Sequence, residues 1–208
     1  MDIQKVMIGV PSRGAVMIPA VEFLCMQASK GFVSIVEQST MSVEHSRGKI
    51  VSKFLKQEHF THLFFMDDDI ACPDTIIEKL LARDVDVCGA KYPLYLDGKI
   101  HSSGYRKNPQ NPHRFLPYPM EETGFKEVDA MGTGAMLIKR EVLERTKTLP
   151  CFRLSYGEGY ALMITDDITF CKFCKNLGFK LYVDFDIKCD HFKTVSLNYI
   201  LQDFNVKQ

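Results

Sequence analysis

The chain carries no excess of either charge: 26 lysines and arginines stand against 26 aspartates and glutamates in 208 residues. Such a balance lacks the broad positive field that grips a phosphate backbone, so no nucleic-acid partner is expected. No apolar run approaches the roughly 20 residues of a bilayer-spanning helix, so no transmembrane segment is expected. The opening Met1-Asp2-Ile3-Gln4-Lys5 has no basic stretch running into an apolar one, and no secretory signal is read there. A disulfide framework is missing too. The seven cysteines are odd in number and scattered, which fits free thiols in a reducing, cytoplasmic setting. Cys171 and Cys174 form a CxxC, but no second pair accompanies it at zinc-finger spacing. Both lie on the apolar side of a helix with Ile168 and Leu177, where core packing accounts for them. Internal repeats and low-complexity tracts are also absent.

What is present is a cored globular composition, 46 % apolar and 25 % charged, of a size that suits one domain. Strand and helix patterns alternate along it. Lys5 to Val10 is a short apolar run stopped by Pro11-Ser12-Arg13-Gly14. Ile18, Val21, Leu24, Cys25 and Ala28 recur at helical spacing, and Gly31 closes that helix. Phe32 to Val36 reads as a second strand. Arg47, Ile50, Val51, Phe54 and Leu55 share one side of a second helix. His62 to Met66 is almost wholly apolar, the pattern of a strand buried on both faces. A helix opening near Pro73 carries Ile76, Ile77, Leu80 and Leu81, and Val85 to Ala90 is a fourth strand. From Tyr92 to Thr123 the chain is rich in Pro, Gly, Asn and basic residues and shows no periodicity, so a long functional or mobile loop is expected. It includes Lys99, His101, Arg106, Lys107, His113 and Arg114, either a solvated loop or a face for an anionic acceptor. Strands follow at Lys126 to Ala130 and Ala135 to Lys139, then helices near Glu141 to Thr146 and Asp167 to Leu177. Lys180 to Val183 and Asp186 to Cys189 read as two last strands. The alternation implies an α/β fold, a mostly parallel sheet with helices on both faces. Ligands of such sheets bind beyond the carboxyl ends of the strands.

The buried third strand runs straight into Asp67-Asp68-Asp69. Three adjacent carboxylates repel one another and raise their own proton affinities. A divalent cation relieves that repulsion, and hard oxygen donors suit Mg²⁺ or Mn²⁺. The plain alternative is an acidic turn ahead of a helix dipole.

Four segments in order resemble the glycosyltransferases of the GT-A fold, and family 2 among them. Thr61 to Ile70 (THLFFMDDDI) resembles the DxD motif. Val6 to Arg13 (VMIGVPSR) resembles the first strand and donor-binding turn. Val128 to Leu143 (VDAMGTGAMLIKREVL) resembles the small-residue strand and the "R-E-x-L" helix start. Thr165 to Phe170 (TDDITF) resembles the motif that opens a late helix, with Asp166 where the family more often has Glu. The resemblance implies a GT-A, Rossmann-like sheet over the whole chain, residues 1–91 holding the nucleotide sugar and 92–208 the acceptor and catalytic groups. It implies a UDP- or GDP-sugar donor and an acceptor that is a glycan, a lipid, a protein or a small molecule.

The same resemblance assigns roles. Asp67 and Asp69 would hold the cation, with His191, just after the last strand, as a further ligand; such a mixed shell leans to Mn²⁺ over Mg²⁺. Asp67 and Asp68 would also lie near the donor. Asp167, beside Asp166, would take the acceptor's proton in an inverting reaction. The alternative is a helix cap on Thr165 or Asp166. Pro11, Ser12, Arg13, Glu37 and Gln38 follow the first two strands and would face the nucleotide. Arg47 resembles part of an "A-R-N" element, though Ser46 and Gly48 depart from it. It is either a phosphate fork or an exposed helix charge. Gly132-Thr133-Gly134 would let a sugar approach the backbone, or is a tight turn. Gly157-Glu158-Gly159-Tyr160 is a mobile loop beside the site or an ordinary turn. A nucleotidyltransferase is a second reading, weakened because Pro11-Ser12-Arg13-Gly14 only faintly echoes a Gly-rich phosphate loop. A non-catalytic sugar- or nucleotide-binding module is a third.

Overall fold

The computed structural model describes residues 5–96, 98–147, 150–156 and 163–196, with backbone alone at 112, 113 and 163. The segment 157–160 and the His113 side chain therefore lie outside the described residues. The first half holds β1 (Val6–Ser12), α1 (Ile18–Ser29), β2 (Val33–Gln38), α2 (Val43–Leu55), β3 (His62–Met66), β4 (Ile70–Ala71), α3 (Ile76–Leu81) and β5 (Val87–Lys91). There follow β6 (Pro93–Leu96), β7 (Lys99–Ser102), β8 (Gly104–Asn108), β9 (Asn111–Pro117), β10 (Phe125–Val128), β11 (Ala130–Met131) and β12 (Ala135–Lys139). The chain continues through α4 (Arg140–Thr146), β13 (Ser155–Tyr156), β14 (Met163–Ile164), α5 (Asp166–Asn176), β15 (Leu181–Lys188) and β16 (Asp190–His191).

Seven strands form the central sheet in the order β10-β15-β5-β12-β3-β1-β2. β2, β1, β3, β5 and β15 run one way, while β12, between β3 and β5, and β10 at the edge run against them. The fold is mixed α/β with a mainly parallel sheet. Alternation along each strand sends side chains to opposite faces. In β3, Leu63 and Phe65 join the core under α2, α4 and α5, whereas Phe64 and Met66 join the core under α1 and α3. Both faces are therefore covered, and the apolar run of β3 follows from that. Among the described residues no helix is long and apolar enough to cross a membrane.

Three expectations are corrected. First, α1 buries Ala20, Phe23 and Gln27, while Ile18 is 75 % exposed and Val21 and Cys25 face outward. Phe23 meets Phe64 at 6.4 Å and Gln27 donates to the Asp74 carbonyl at 3.0 Å. A polar residue thus sits on the inner face, and apolar count alone picks the wrong side. Second, the stretch after Tyr92 is a pair of hairpins, β6–β7 and β8–β9, with β11 added to the second. Its prolines sit where they cost little in pairing, Pro93 at a strand start and Pro117 at a strand end. Third, β15 is one strand with a register irregularity between Asp184 and Lys188, where two strands were expected. Asp184 is buried there and takes Nε and a terminal nitrogen of Arg83 at 3.0 and 2.6 Å.

Arg140 ties α4 to the end of α2. Its guanidinium donates to the carbonyls of Phe54, Gln57 and Phe60 at 3.2, 2.6 and 2.6 Å and lies 4.5 Å over the Phe54 ring. It supplies the donors that the last turn of a helix lacks. Arg140→Ala is expected to lower stability by about 2 kcal/mol or more, since charged hydrogen bonds are each worth ~1.5–3 kcal/mol. Urea unfolding checks this, and Arg140→Lys should restore less than half of the loss because a single ammonium cannot span the same carbonyls.

Glu37, at the end of β2, is buried against Lys53 and Lys49, the latter at 3.2 Å. The Lys53 hydrogen bond outweighs burial and holds the carboxyl below its ordinary value of 4.5. A lowered carboxyl stabilises the fold above the unfolded-state value, and that contribution disappears as pH falls through the folded value. Glu37→Gln should therefore be less stable than the parent at neutral pH, with the two converging in acid. A gap that stays constant from neutral pH into acid contradicts this account.

Candidate active site

A cleft of about 440 Å³ opens where β1 and β3 end. Its walls come from Pro11 of β1 and Arg13 just after it, Arg47 of α2, the Asp67-Asp68-Asp69 turn, Thr133, Asp167 of α5, and His191 and Lys193 after β15. The turn follows from local bonding. The Asp67 amide donates to the Gly134 carbonyl at 3.2 Å, extending the β3–β12 pairing by one step, and the Ile70 amide returns to the Asp67 carbonyl at 3.2 Å. The chain doubles back and lays β4 beside β16, with Phe192 bonded to the Asp69 carbonyl at 2.8 Å.

Arg47 is not an exposed helix charge. It is 5 % exposed, donates to Asp166 Oδ2 at 2.5 Å and to Asp67 Oδ1 at 2.8 Å, and its Nε is buried without a partner among the described residues. Burial works against its charge, and the two carboxylates more than compensate, so the guanidinium stays protonated. Asp166 is buried with it and is not among the residues that line the cleft.

Asp69 divides its oxygens. Oδ1 lies 3.3 Å from Nε2 of His191, and Oδ2 takes the Lys193 ammonium at 2.5 Å. Burial would raise the Asp69 carboxyl, but His191 and Lys193 hold it below its usual range. Nδ1 of His191 stands 2.7 Å from the Pro93 carbonyl. A carbonyl only accepts, so Nδ1 carries the hydrogen; Nε2 donates to Asp69 when the ring is protonated and presents a lone pair only in the neutral ring. Tyr92 braces the imidazole edge-on at 5.6 Å. Asp68 is pushed above its usual range by burial and by its acidic neighbours, against a hydrogen bond from Ser12.

Asp167 stands in the first turn of α5. Its Oδ1 accepts from the Ile168 amide at 2.7 Å and from the Thr165 hydroxyl. Thr165 holds the N-cap position, yet its side chain makes no bond to the backbone there. Burial raises the Asp167 carboxyl above its usual range, and neighbouring Asp166 adds to this, while Thr165 and Arg47 oppose it.

The two glycines after β11 answer to the protein itself. A Cβ on Gly132 would stand 2.0 Å from the Tyr92 hydroxyl, and one on Gly134 would stand 2.3 Å from Ile70 Cδ1 and 3.0 Å from Asp67 Oδ2. Thr133 between them is 1 % exposed, lines the cleft, and its hydroxyl has no partner among the described residues.

Of the residues picked out in the sequence, Pro11, Arg13, Arg47, Asp67, Asp68, Asp69, Asp167 and His191 meet at this cleft. Ser12 does not line the cleft itself; besides its bond to Asp68 its hydroxyl reaches the Ala15 carbonyl at 3.3 Å and accepts from the Gly14 amide at 3.1 Å. Glu37 is absorbed by the two lysines of α2, and Gln38 faces a separate hollow with Met41 and His45. Tyr92, Leu94 and Lys193 line the cleft and were not picked out. A basic residue two positions after a candidate ligand is the signal that would have found Lys193.

No protein-family model matches the chain, and no curated protein matches its sequence. Solved structures do match. A197 from STIV aligns at a TM-score of 0.64 and 22 % identity, over 91 % of this chain and 86 % of that one. A glycosyltransferase involved in the glycosylation of the major capsid of PBCV-1 aligns at 0.51 and 12 %, over 97 % of this chain and 98 % of that one. GalNAc-T7, crystallised with UDP, GalNAc and Mn²⁺, aligns at 0.53 and 10 %, over 92 % of this chain and 44 % of that one. At such identities the shared property is the fold, a GT-A-like α/β sheet.

Removing the Arg47 charge leaves two acids uncompensated. Arg47→Met is expected to cost about 3–5 kcal/mol, the usual loss when one partner of a buried ion pair is deleted. Arg47→Met combined with Asp166→Asn should regain part of that loss. Urea midpoints at neutral pH check both, and a single variant as stable as the parent rules out Arg47 as the counter-charge.

Proposed function

We propose that this protein is a glycosyltransferase that moves a sugar from a uridine or guanosine diphosphate donor to an acceptor hydroxyl, with inversion. One observation carries the reading. A carboxylate and an oriented imidazole 3.3 Å apart face the same cleft as an acid whose proton affinity is raised by burial. One structure of similar fold is described as a glycosyltransferase, and another, GalNAc-T7, was crystallised with UDP, GalNAc and Mn²⁺.

The donors present fit a divalent cation. Asp69 is held ionised by Lys193 and by the protonated imidazole, and loss of the Nε2 proton would free a nitrogen lone pair in a ring fixed by its bond to Pro93. That second bond is the usual way a ligating imidazole is oriented. Among the described residues no three His, Cys, Asp or Glu side chains gather round one point. The protein would thus supply two donors, with phosphate oxygens and water completing the shell, as hard cations accept. A mixed oxygen and nitrogen pair leans to Mn²⁺ over Mg²⁺. Bound there, the cation would neutralise a departing diphosphate. Asp67 stays with Arg47 and shapes the turn.

The remaining steps belong to the chain's own residues. Oδ1 of Asp167 is fixed by α5, so Oδ2 is left to accept the acceptor's proton as its oxygen attacks the anomeric carbon and the bond to the diphosphate breaks. The Thr133 hydroxyl, buried at the cleft wall, offers a hydrogen bond to a sugar hydroxyl. Arg13 faces the phosphates from the β1 turn. Residues 1–91 hold the donor in this scheme, and 92–208 supply Asp167, His191 and the acceptor side.

Calorimetry with UDP and with GDP, with and without Mn²⁺, tests the reading. Binding of one of them should depend on Mn²⁺ and be lost in Asp69→Ala. Asp167→Asn should keep that binding and lose turnover by roughly 10²–10⁴-fold, the usual share of a general base. Release of pyrophosphate in place of nucleoside diphosphate favours a nucleotidyltransferase. Tight donor binding without transfer or donor hydrolysis favours a binding module. Absence of Mn²⁺-linked nucleotide binding overturns the proposal.

A further inference from the structure

Cys72 follows β4 and Cys189 precedes β16. The ladder pairs Asp190 with Ala71 and His191 with Ile70, and the same register sets Cys189 directly opposite Cys72. Phe192 bonds across the ladder to Asp69, but the Cys189 amide turns away to the Lys91 carbonyl at 2.8 Å. Alternation along an antiparallel pair therefore makes Cys72 and Cys189 a pair without mutual backbone bonds. In such pairs the Cα atoms approach to about 4.5 Å, within the ~4.4–6.8 Å that a disulfide spans. Both are free thiols, and their Sγ atoms are 3.4 Å apart. Among the described residues this is the one thiol that bonds to another.

We propose that Cys72 and Cys189 are a site of reversible disulfide formation that clamps β16 onto β4 and thereby holds His191 against Asp69. The bond stands whether or not the cleft transfers a sugar. It forms by exchange with a low-molecular-weight disulfide such as oxidised glutathione. The Cys72 thiol, 9 % exposed against 3 % for Cys189, displaces one sulfur of the reagent, its proton leaving with the glutathione expelled. The Cys189 thiol then displaces the second glutathione from the Cys72 sulfur, its proton leaving in the same way. Two cysteine protons and two electrons pass to the reagent, which leaves as two thiols. A reducing thiol reverses both steps. The consequence is local. Cys189 is two residues before His191 and Cys72 three after Asp69, so the new bond closes the ladder on the side opposite the Phe192–Asp69 backbone bond.

Exposed Cys25 would collect glutathione on its own, so the test uses Cys25→Ser. The folded protein is treated with oxidised glutathione at mildly alkaline pH. Remaining thiols are blocked with iodoacetamide in denaturant, and unreduced peptides are mapped. The six thiols left of the original seven should fall to four, with one linked peptide joining Cys72 to Cys189. Amide hydrogen exchange at 189–192 should slow on oxidation and return with dithiothreitol. With Cys189→Ala the Cys72 adduct should persist as a mixed disulfide; if that variant folds poorly, peptide mapping of Cys25→Ser still decides. Linkage among other cysteines, or a Cys72 adduct that never resolves onto Cys189, overturns the site. A formed bond with unchanged exchange at 189–192 overturns the clamp.

Discussion

One buried guanidinium governs the electrostatics of the cleft. Arg47 gives one nitrogen to Asp67 and another to Asp166, and so takes one member from each of the two acidic runs. The members left over are thereby pushed apart in character. Asp167 feels Arg47 without a hydrogen bond from it, and burial raises its proton affinity all the same. Asp69 is held ionised by His191 and Lys193. Pairs of like groups driven to different proton affinities are how a fold assigns separate acid–base tasks. A buried arginine is costly to desolvate, and α2 bears that cost through the packing of Ile50, Val51 and Phe54 on the same face.

The cleft floor obeys a steric rule as strict as the electrostatic one. Tyr92 fills the space beneath Gly132 and Gly134, and its hydroxyl accepts from the Gly134 amide at 3.1 Å. The same ring supports His191 from the side. A glycine pair that invites a sugar-contact reading is thus required first by an internal aromatic ring. The group left facing the cleft from that stretch is Thr133.

The sequence made the scaffold legible where burial is two-sided. The apolar run His62–Met66 is β3 at the predicted bounds, because a strand covered on both faces has no polar positions to blur its pattern. Legibility failed where one face is wet. In α1 the apolar Ile18 and Val21 point to solvent while Gln27 points inward, so period survived and phase did not. The hairpins after Tyr92 are held by backbone pairing among polar and proline residues, which leaves no hydrophobic rhythm. At the cleft, acids at the end of a strand and the start of a helix were visible as a pattern. That Arg47 would bind two of them was not, since the contact joins residues far apart in the chain. Glu37 shows the same limit: its place at the carboxyl edge was readable, its capture by Lys49 and Lys53 was not.

The C-terminal wall of the cleft is the least secured part. β16 pairs with β4 over two residues, against four or more for β12 with β3 and β15 with β5. So short a ladder has little stability of its own. Whatever bridges Asp69 and His191 also joins β4 to β16, so a ligand that binds the joined state adds its binding free energy to the ladder. Lys193 already makes a weaker form of that bridge, its ammonium on Asp69 Oδ2 tying the segment after β16 to the turn before β4. On the proposed reading, a cation would meet a carboxylate that is ordered but half engaged, and its affinity would reflect the displacement of that ammonium as well as the two donors it gains.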